Sequence, residues 1–227
     1  MTTLPIKTKL TIFDIDGTLT DSVAIHQQAF RKALEDAELM PYDNNFSNYK
    51  HHTDRYISNT IFFEHHGRDM TDEDIARFEN DVYRLSLDLL QGKPFAEISG
   101  AVAFVQYLHW HTPYAIAYAT GSFHQPAQNK LSIGFPNYLE SMLFSCNRQP
   151  VREEIIQEAI KASKYIYQVP HFEEIIAFGD GIWDWKAAQS LGIDFIGIGS
   201  RSRTIFANCS CRGCYDDFHS QQVLLRE

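Results

Sequence analysis

The sequence lacks any long apolar run. No stretch approaches the length of a membrane span, and Met1 to Lys9 has no apolar core of the kind a secretory signal carries. It also lacks a run of lysine and arginine. Against 29 acidic residues stand 20 basic ones, for a formal net charge of -9. Affinity for a phosphate backbone comes from clustered cations, so nucleic acid is not an expected partner. Nothing repeats at a fixed period and no segment is low-complexity. Cysteine is scarce: there are four, three of them crowded into Cys209-Ser210-Cys211-Arg212-Gly213-Cys214. Three thiols without a clear fourth ligand are a weak zinc signal, and they read as reduced thiols in a C-terminal loop. These absences leave a cytoplasmic protein, monomer or homodimer, with no membrane contact.

What is present is ordinary globular composition, 44% hydrophobic and 22% charged over 227 residues. Short apolar runs at Leu10 to Phe13, Tyr114 to Ala119, Glu174 to Phe178 and Asp194 to Ile198 read as buried parallel strands, with a shorter candidate at Met142 to Ser145. Helical patterns separate them: Val102, Val105 and Leu108; Ile155, Ile156, Ala159 and Ile160; Ala187, Ala188 and Leu191. That alternation predicts an α/β fold, a Rossmann-like parallel sheet with helices on both faces. The stretch from Asp21 to Gly92 breaks the pattern and reads as helices only. Phe30, Ala33, Leu34 and Ala37 form one apolar face. Thr71 with Asp74 suggests a capping box ahead of the stripe Ile75, Phe78, Val82, Leu85 and Leu89, which stops at Gly92. The expected division is a core of residues 1–20 and 93–227 and an all-helical cap of residues 21–92, inserted after the first strand.

Chemistry-bearing residues gather where strands end, and open parallel sheets bind ligands beyond the carboxyl ends of their strands. The first strand runs into Asp14-Ile15-Asp16-Gly17-Thr18, whose carboxylates at i and i+2 leave an extended chain on one side. The second runs into Thr120-Gly121-Ser122, which offers hydroxyls and backbone N–H groups. The third runs into Gly179-Asp180-Gly181-Ile182-Trp183-Asp184. A single aspartate here would read as a cap or turn residue. Four at one sheet edge repel one another unless a cation sits among them, and magnesium takes such oxygen ligands.

These motifs resemble those of the haloacid dehalogenase superfamily. The resemblance covers nearly the whole chain, and the helical insert is similar to the cap of its phosphoglycolate phosphatase and β-phosphoglucomutase branch. It implies a phosphatase acting on a small phosphorylated metabolite through an aspartyl-phosphate on Asp14. Asp16 is then general acid and base. Mg2+ is held by Asp14, Asp180 and the backbone carbonyl of Asp16, with Asp184 ordering its waters. Thr120, Gly121 and Ser122 bind the phosphate. Dehalogenases of the superfamily lack the second motif-one aspartate, so Asp16 points to phosphate chemistry.

The lysine that the family places ahead of the helix after the third core strand is missing, since none occurs between Ser141 and Ile160. Arg152 is the expected replacement in catalysis and phosphate binding, with Arg148 second; either could be a surface residue. His26 is either an aid to Asp16, as in the branch's sugar-phosphate mutases, or a helix-surface residue. His51-His52 and His65-His66 read as exposed or cap-lining. Of Trp183 and Trp185, one is expected in the core and the other at the site entrance. A phosphomutase and a silent binding module are the alternative functions.

Overall fold

The computed structural model describes residues 5–136 and 142–219. Among these, the strands are β1 (Lys9–Phe13), β2 (Tyr114–Ala119), β3 (Leu143–Phe144), β4 (Ile175–Gly179), β5 (Asp194–Ile198) and β6 (Gly213–Tyr215). They form one sheet in the order β3-β2-β1-β4-β5-β6, with every pair parallel. The strand order reverses at β1, so the three sequence motifs stand at the ends of three adjacent central strands, β2, β1 and β4. The short β6, which includes Cys214, extends the sheet beyond what the apolar runs predict; three residues are too few to carry a period.

Period-two alternation sorts the strand side chains onto two faces. Leu10, Ile12, Ala115, Ala117 and Ala119 join an apolar cluster that includes Ile155, Ile156 and Ala159 of α6 (Arg152–Ile166). The alanines of β2 keep that face shallow. Phe13, Ile116, Tyr118, Ile176 and Phe178 face the other way, against Phe104 and Leu108 of α4 (Ala101–His111) and Leu131 of α5 (His124–Leu131). Phe13 and Phe178 stack there with ring centroids 4.6 Å apart. The remaining core helices are α7 (Ile182–Leu191) and the short α8 (Ser202–Ile205).

Between β1 and β2 the chain is helical, as predicted: α1 (Val23–Asp36), a 3-10 turn at Phe46–Asn48, α2 (Asp54–His66) and α3 (Asp72–Leu90). Thr71 and Asp74 make both halves of the capping box on α3. This helix ends one residue before the expected stop, because Gln91 already adopts the left-handed conformation at φ 51° and Gly92 follows at φ 78°. Phe30, Ile57, Phe78 and Val82 of these helices belong to the same cluster as Leu10 and Ile12 of the sheet. Cys209, Cys211 and Cys214 are unbridged and pack beside Phe195 and Phe206. Among the described residues, no helix is long and apolar enough to cross a membrane.

Candidate active site

Asp14 follows β1 while its N–H still bonds the carbonyl of Phe178 on β4 at 2.9 Å. The chain then folds back, with the N–H groups of Leu19 and Thr20 on the carbonyl of Ile15. Gly17 makes the turn at φ 77°, where a Cβ would stand 2.3 Å from Asp180 Oδ2; only glycine fits between the two motifs. Asp180 and Asp184 come from the start of α7, where the Asp184 carboxylate accepts the N–H of Gly181 at 3.1 Å. Asp14, Asp180 and Asp184 each offer an oxygen within 4.8 Å of the other two. Among the described residues, this is the only such gathering of three His, Cys, Asp or Glu groups.

Arg152, the first residue of α6, is the cation that meets this cluster. Its Nη1 donates to Asp14 at 2.7 Å and lies 3.2 Å from Asp184. Arg148 is exposed and pairs at 3.7 Å with Glu158. Burial raises the carboxyl groups of all three acids. Arg152 offsets this only in part at Asp14 and Asp184, and the acids repel one another; Asp184 is pushed up to about 7. One guanidinium does not balance three carboxylates, two buried and one half-buried. An all-oxygen donor set with unbalanced negative charge fits a hard divalent cation such as magnesium.

Asp16 is turned to different company. Its Oδ1 accepts from Ser22 at 2.6 Å, and its Oδ2 from Ser122 at 2.7 Å. The ammonium of Lys130 reaches both oxygens, at 2.7 and 2.8 Å. Lys130 is fully buried on α5 and also contacts Ser122 Oγ at 3.1 Å and His26 Nδ1 at 3.2 Å. An ammonium only donates, so Nδ1 accepts and Nε2 carries the hydrogen that faces Asp54 Oδ1 at 3.0 Å. Burial alone would raise the Asp16 carboxyl, but Lys130 and the bonds from Lys130 and Ser122 hold it well below the usual range. The two motif-one aspartates therefore have opposite environments.

Thr120 is buried, with its Oγ1 accepting the N–H of Ser122 at 3.1 Å. A Cβ on Gly121 would lie 2.7 Å from the carbonyl of His52 and 2.9 Å from Arg152 Nη2, so glycine lets both approach. The hydroxyl of Ser122, a residue expected to bind phosphate, donates to Asp16. His26 is buried inside this network and is not a helix-surface residue. His52 stacks on Trp183 with ring centroids 3.7 Å apart, and both line the cavity. Trp185 packs with the third apolar cluster. His65 and His66 are exposed.

A cavity of about 280 Å³ opens over these groups, walled by strand ends on one side and by α1 and α2 on the other. Three contributors were missed by sequence reasoning: Lys130, Asp54 and Ser22. Lys130 had a readable signal, since it sits at helical spacing between the buried Ala127 and Leu131, an apolar face on which a lysine is out of place. Asp54 and Ser22 look like ordinary residues at helix starts and carry none.

Residues 8–192 match the family model of the haloacid dehalogenase-like hydrolases. The chain belongs to this family. No curated protein matches it. Among solved structures, a hydrolase from Pseudomonas syringae is 22% identical with a TM-score of 0.65, over 94% of this chain and 98% of that one. A predicted phosphoglycolate phosphatase from Haemophilus somnus is 16% identical with a TM-score of 0.65, over 99% and 100%. CbbY from Rhodobacter sphaeroides, solved with phosphate, is 16% identical with a TM-score of 0.66, over 93% and 95%. At these identities the likeness speaks for the fold. In this haloacid dehalogenase-like hydrolase the two motif-one carboxylates, Asp14 and Asp16, stand in opposite electrostatic surroundings.

Proposed function

We propose that this chain is a magnesium-dependent phosphatase that moves the phosphoryl group of a small phosphorylated metabolite first to Asp14 and then to water. The observation that carries this is the separation of the two motif-one carboxylates, Asp14 among acids and Arg152, Asp16 against Lys130, Ser22 and Ser122. Asp14, Asp180 and Asp184, with the backbone carbonyl of Asp16, would hold Mg2+. When bound, the ion supplies charge that offsets repulsion between carboxylate and phosphate.

In the first step an Asp14 oxygen bonds to phosphorus as the bond to the leaving oxygen breaks, and that oxygen takes a proton. Asp16, held as a carboxylate, is placed to relay it from the ammonium of Lys130, which stays a neutral amine until the next step returns the proton through Asp16. In the second step Asp16, as carboxylate, takes a proton from the water that attacks the acyl phosphate. Thr120, the N–H of Gly121 and Arg152 would hold the non-bridging oxygens. Ser122 would position Asp16 and leave the phosphate to its neighbours. Residues 21–92 would act as a cap over the core of residues 1–20 and 93–227, excluding water from the reaction. Hydrogen bonds tie α2 to that core: the N–H of Asp54 on the carbonyl of Gly121 at 2.8 Å, the N–H of Phe123 on Asp54 Oδ2 at 3.0 Å and Thr53 Oγ1 on the carbonyl of Pro150 at 2.7 Å. His26 beside the Asp16 network favours one second reading, a phosphomutase that returns the phosphoryl group to another hydroxyl.

The test is phosphate release from p-nitrophenyl phosphate and a panel of metabolite phosphates, with magnesium or EDTA, by wild type and Asp14→Asn. Magnesium-dependent release that Asp14→Asn abolishes is the expected result. Release untouched by Asp14→Asn would remove the nucleophile. Turnover that needs a bisphosphate primer and yields an isomer would replace the phosphatase by the mutase.

A further inference from the structure

One wall of the cavity, beyond His26 at its near end, has no part in the reaction assigned above. Val23, His26, Gln27, Phe30 and Arg31 of α1 all line it, at the i, i+3, i+4, i+7, i+8 spacing of one helical face. The stripe begins at the phosphate end, where Val23 abuts the Gly17 turn and His26 meets Lys130 beside Asp16. It ends at Arg31, eight residues on and therefore about 12 Å along the helix axis.

Arg31 is half-buried, with its guanidinium over the Phe46 ring, 4.8 Å from the centroid. Its N–H groups reach only Gln27 Oε1 at 3.4 Å and the carbonyl of Asn44 at 3.5 Å, both at the long limit of a hydrogen bond. Among the described residues no carboxylate pairs with it, although the far more exposed Arg84, Arg148 and Arg203 each have one. Arg201, in the turn after β5, lines the same cavity and is likewise unpaired among the described residues. A cation fixed on an aromatic face, with poorly used donors in the lining of a cavity, is suited to an anion. Its planar fork matches a carboxylate or phosphate.

We propose that the substrate carries a second anionic group, a carboxylate or a phosphate, at the end remote from the scissile ester, and that Arg31 binds it. This rests on the phosphatase reading and adds the class of metabolite: an ester with negative charge at both ends, separated by roughly 8–12 Å, the span of α1 from His26 or Val23 to Arg31.

The test compares kcat/KM for matched esters whose ends span that distance: 6-phosphogluconate against glucose 6-phosphate, and fructose 1,6-bisphosphate against fructose 6-phosphate. Wild type is expected to prefer the doubly anionic member of at least one pair by about tenfold or more, the effect of one charge-assisted contact. The pair with the larger ratio tells carboxylate from phosphate. Arg31→Gln is expected to bring that ratio towards one, and Arg31→Lys to restore part of it. Ratios near one in wild type, or a ratio that Arg31→Gln leaves unchanged, would overturn the assignment of Arg31 while the phosphatase stands. Wild type that hydrolyses no ester at all would overturn both.

Discussion

Lys130 is a buried ammonium whose charge is balanced by Asp16. Truncating it would leave Asp16 buried beside Asp14 without its counter-charge. Lys130→Met is therefore expected to destabilise the fold by about 3 kcal/mol, the cost of breaking a buried pair, and to lower kcat by about 100-fold or more as Asp16 loses its position. Urea denaturation and single-turnover kinetics read the two effects separately. Arg152 has the same standing towards Asp14 and Asp184. Arg152→Ala is expected to lower kcat by about 100- to 1000-fold, the range seen when one charge-stabilising donor is removed, with Arg152→Lys intermediate. His52 gives a pH-dependent expectation. Burial on Trp183, with Arg152 beside it, pushes its imidazole down to about 4, against about 6.5 in the unfolded chain. The unfolded state thus gains a proton first as pH falls. The contribution of His52 to stability is complete above about pH 6.5, declines towards pH 4 and is flat below that. The urea midpoint of His52→Gln should fall less steeply than that of wild type over that window. At this scale the sequence showed the acids well, because Asp14, Asp16, Asp180 and Asp184 sit in short motifs at strand ends. It could show Arg152 only as one of two candidates, since the choice depends on where α6 begins.

Elements explain why Lys130 went unread. Helix α5 has no local start signal: Phe123 stands at its N-cap without a side-chain bond. Its first N–H groups are met from afar, by Asp54 of α2 at 3.0 Å, Asn147 at 2.7 Å and Glu79 of α3 at 2.8 Å. No window of sequence around residue 124 contains those partners. The strands and α3, whose apolar periods and caps are local, were legible. The two-residue β3 and three-residue β6 were marginal because so little of a period fits in them. Glu79 also accepts from Asn147 Nδ2 at 2.6 Å, so it ties α3 to the start of the helix that carries Lys130. Glu79→Ala would leave two polar groups without a partner. It is expected to cost about 2 kcal/mol in thermal or urea unfolding. It should also lower kcat more than Thr71→Ala, which removes a cap of about 1 kcal/mol at the far end of α3.

For the whole molecule, the parallel sheet sets three loops side by side at the point where strand order reverses, and α1 and α2 wall the other side of the cavity. The opposed electrostatics of Asp14 and Asp16 arise from this convergence. Asp14 is surrounded by acids from β4 and α7, Asp16 by a lysine from α5 and serines from two loops. The parallel sheet and the helical insert followed from alternation along the chain; the partition of the two carboxylates did not, because it is made by residues more than one hundred positions away. In the proposed reaction Asp14 carries the phosphoryl group during turnover. Acid-quenching the magnesium-loaded enzyme during steady hydrolysis and mapping its peptides by mass spectrometry tests this most directly. One phosphoryl group on the peptide that contains Asp14, absent with EDTA and in Asp14→Asn, is the predicted result. Undiminished turnover with no phosphoryl group on that peptide, or with the group on another residue, would contradict it.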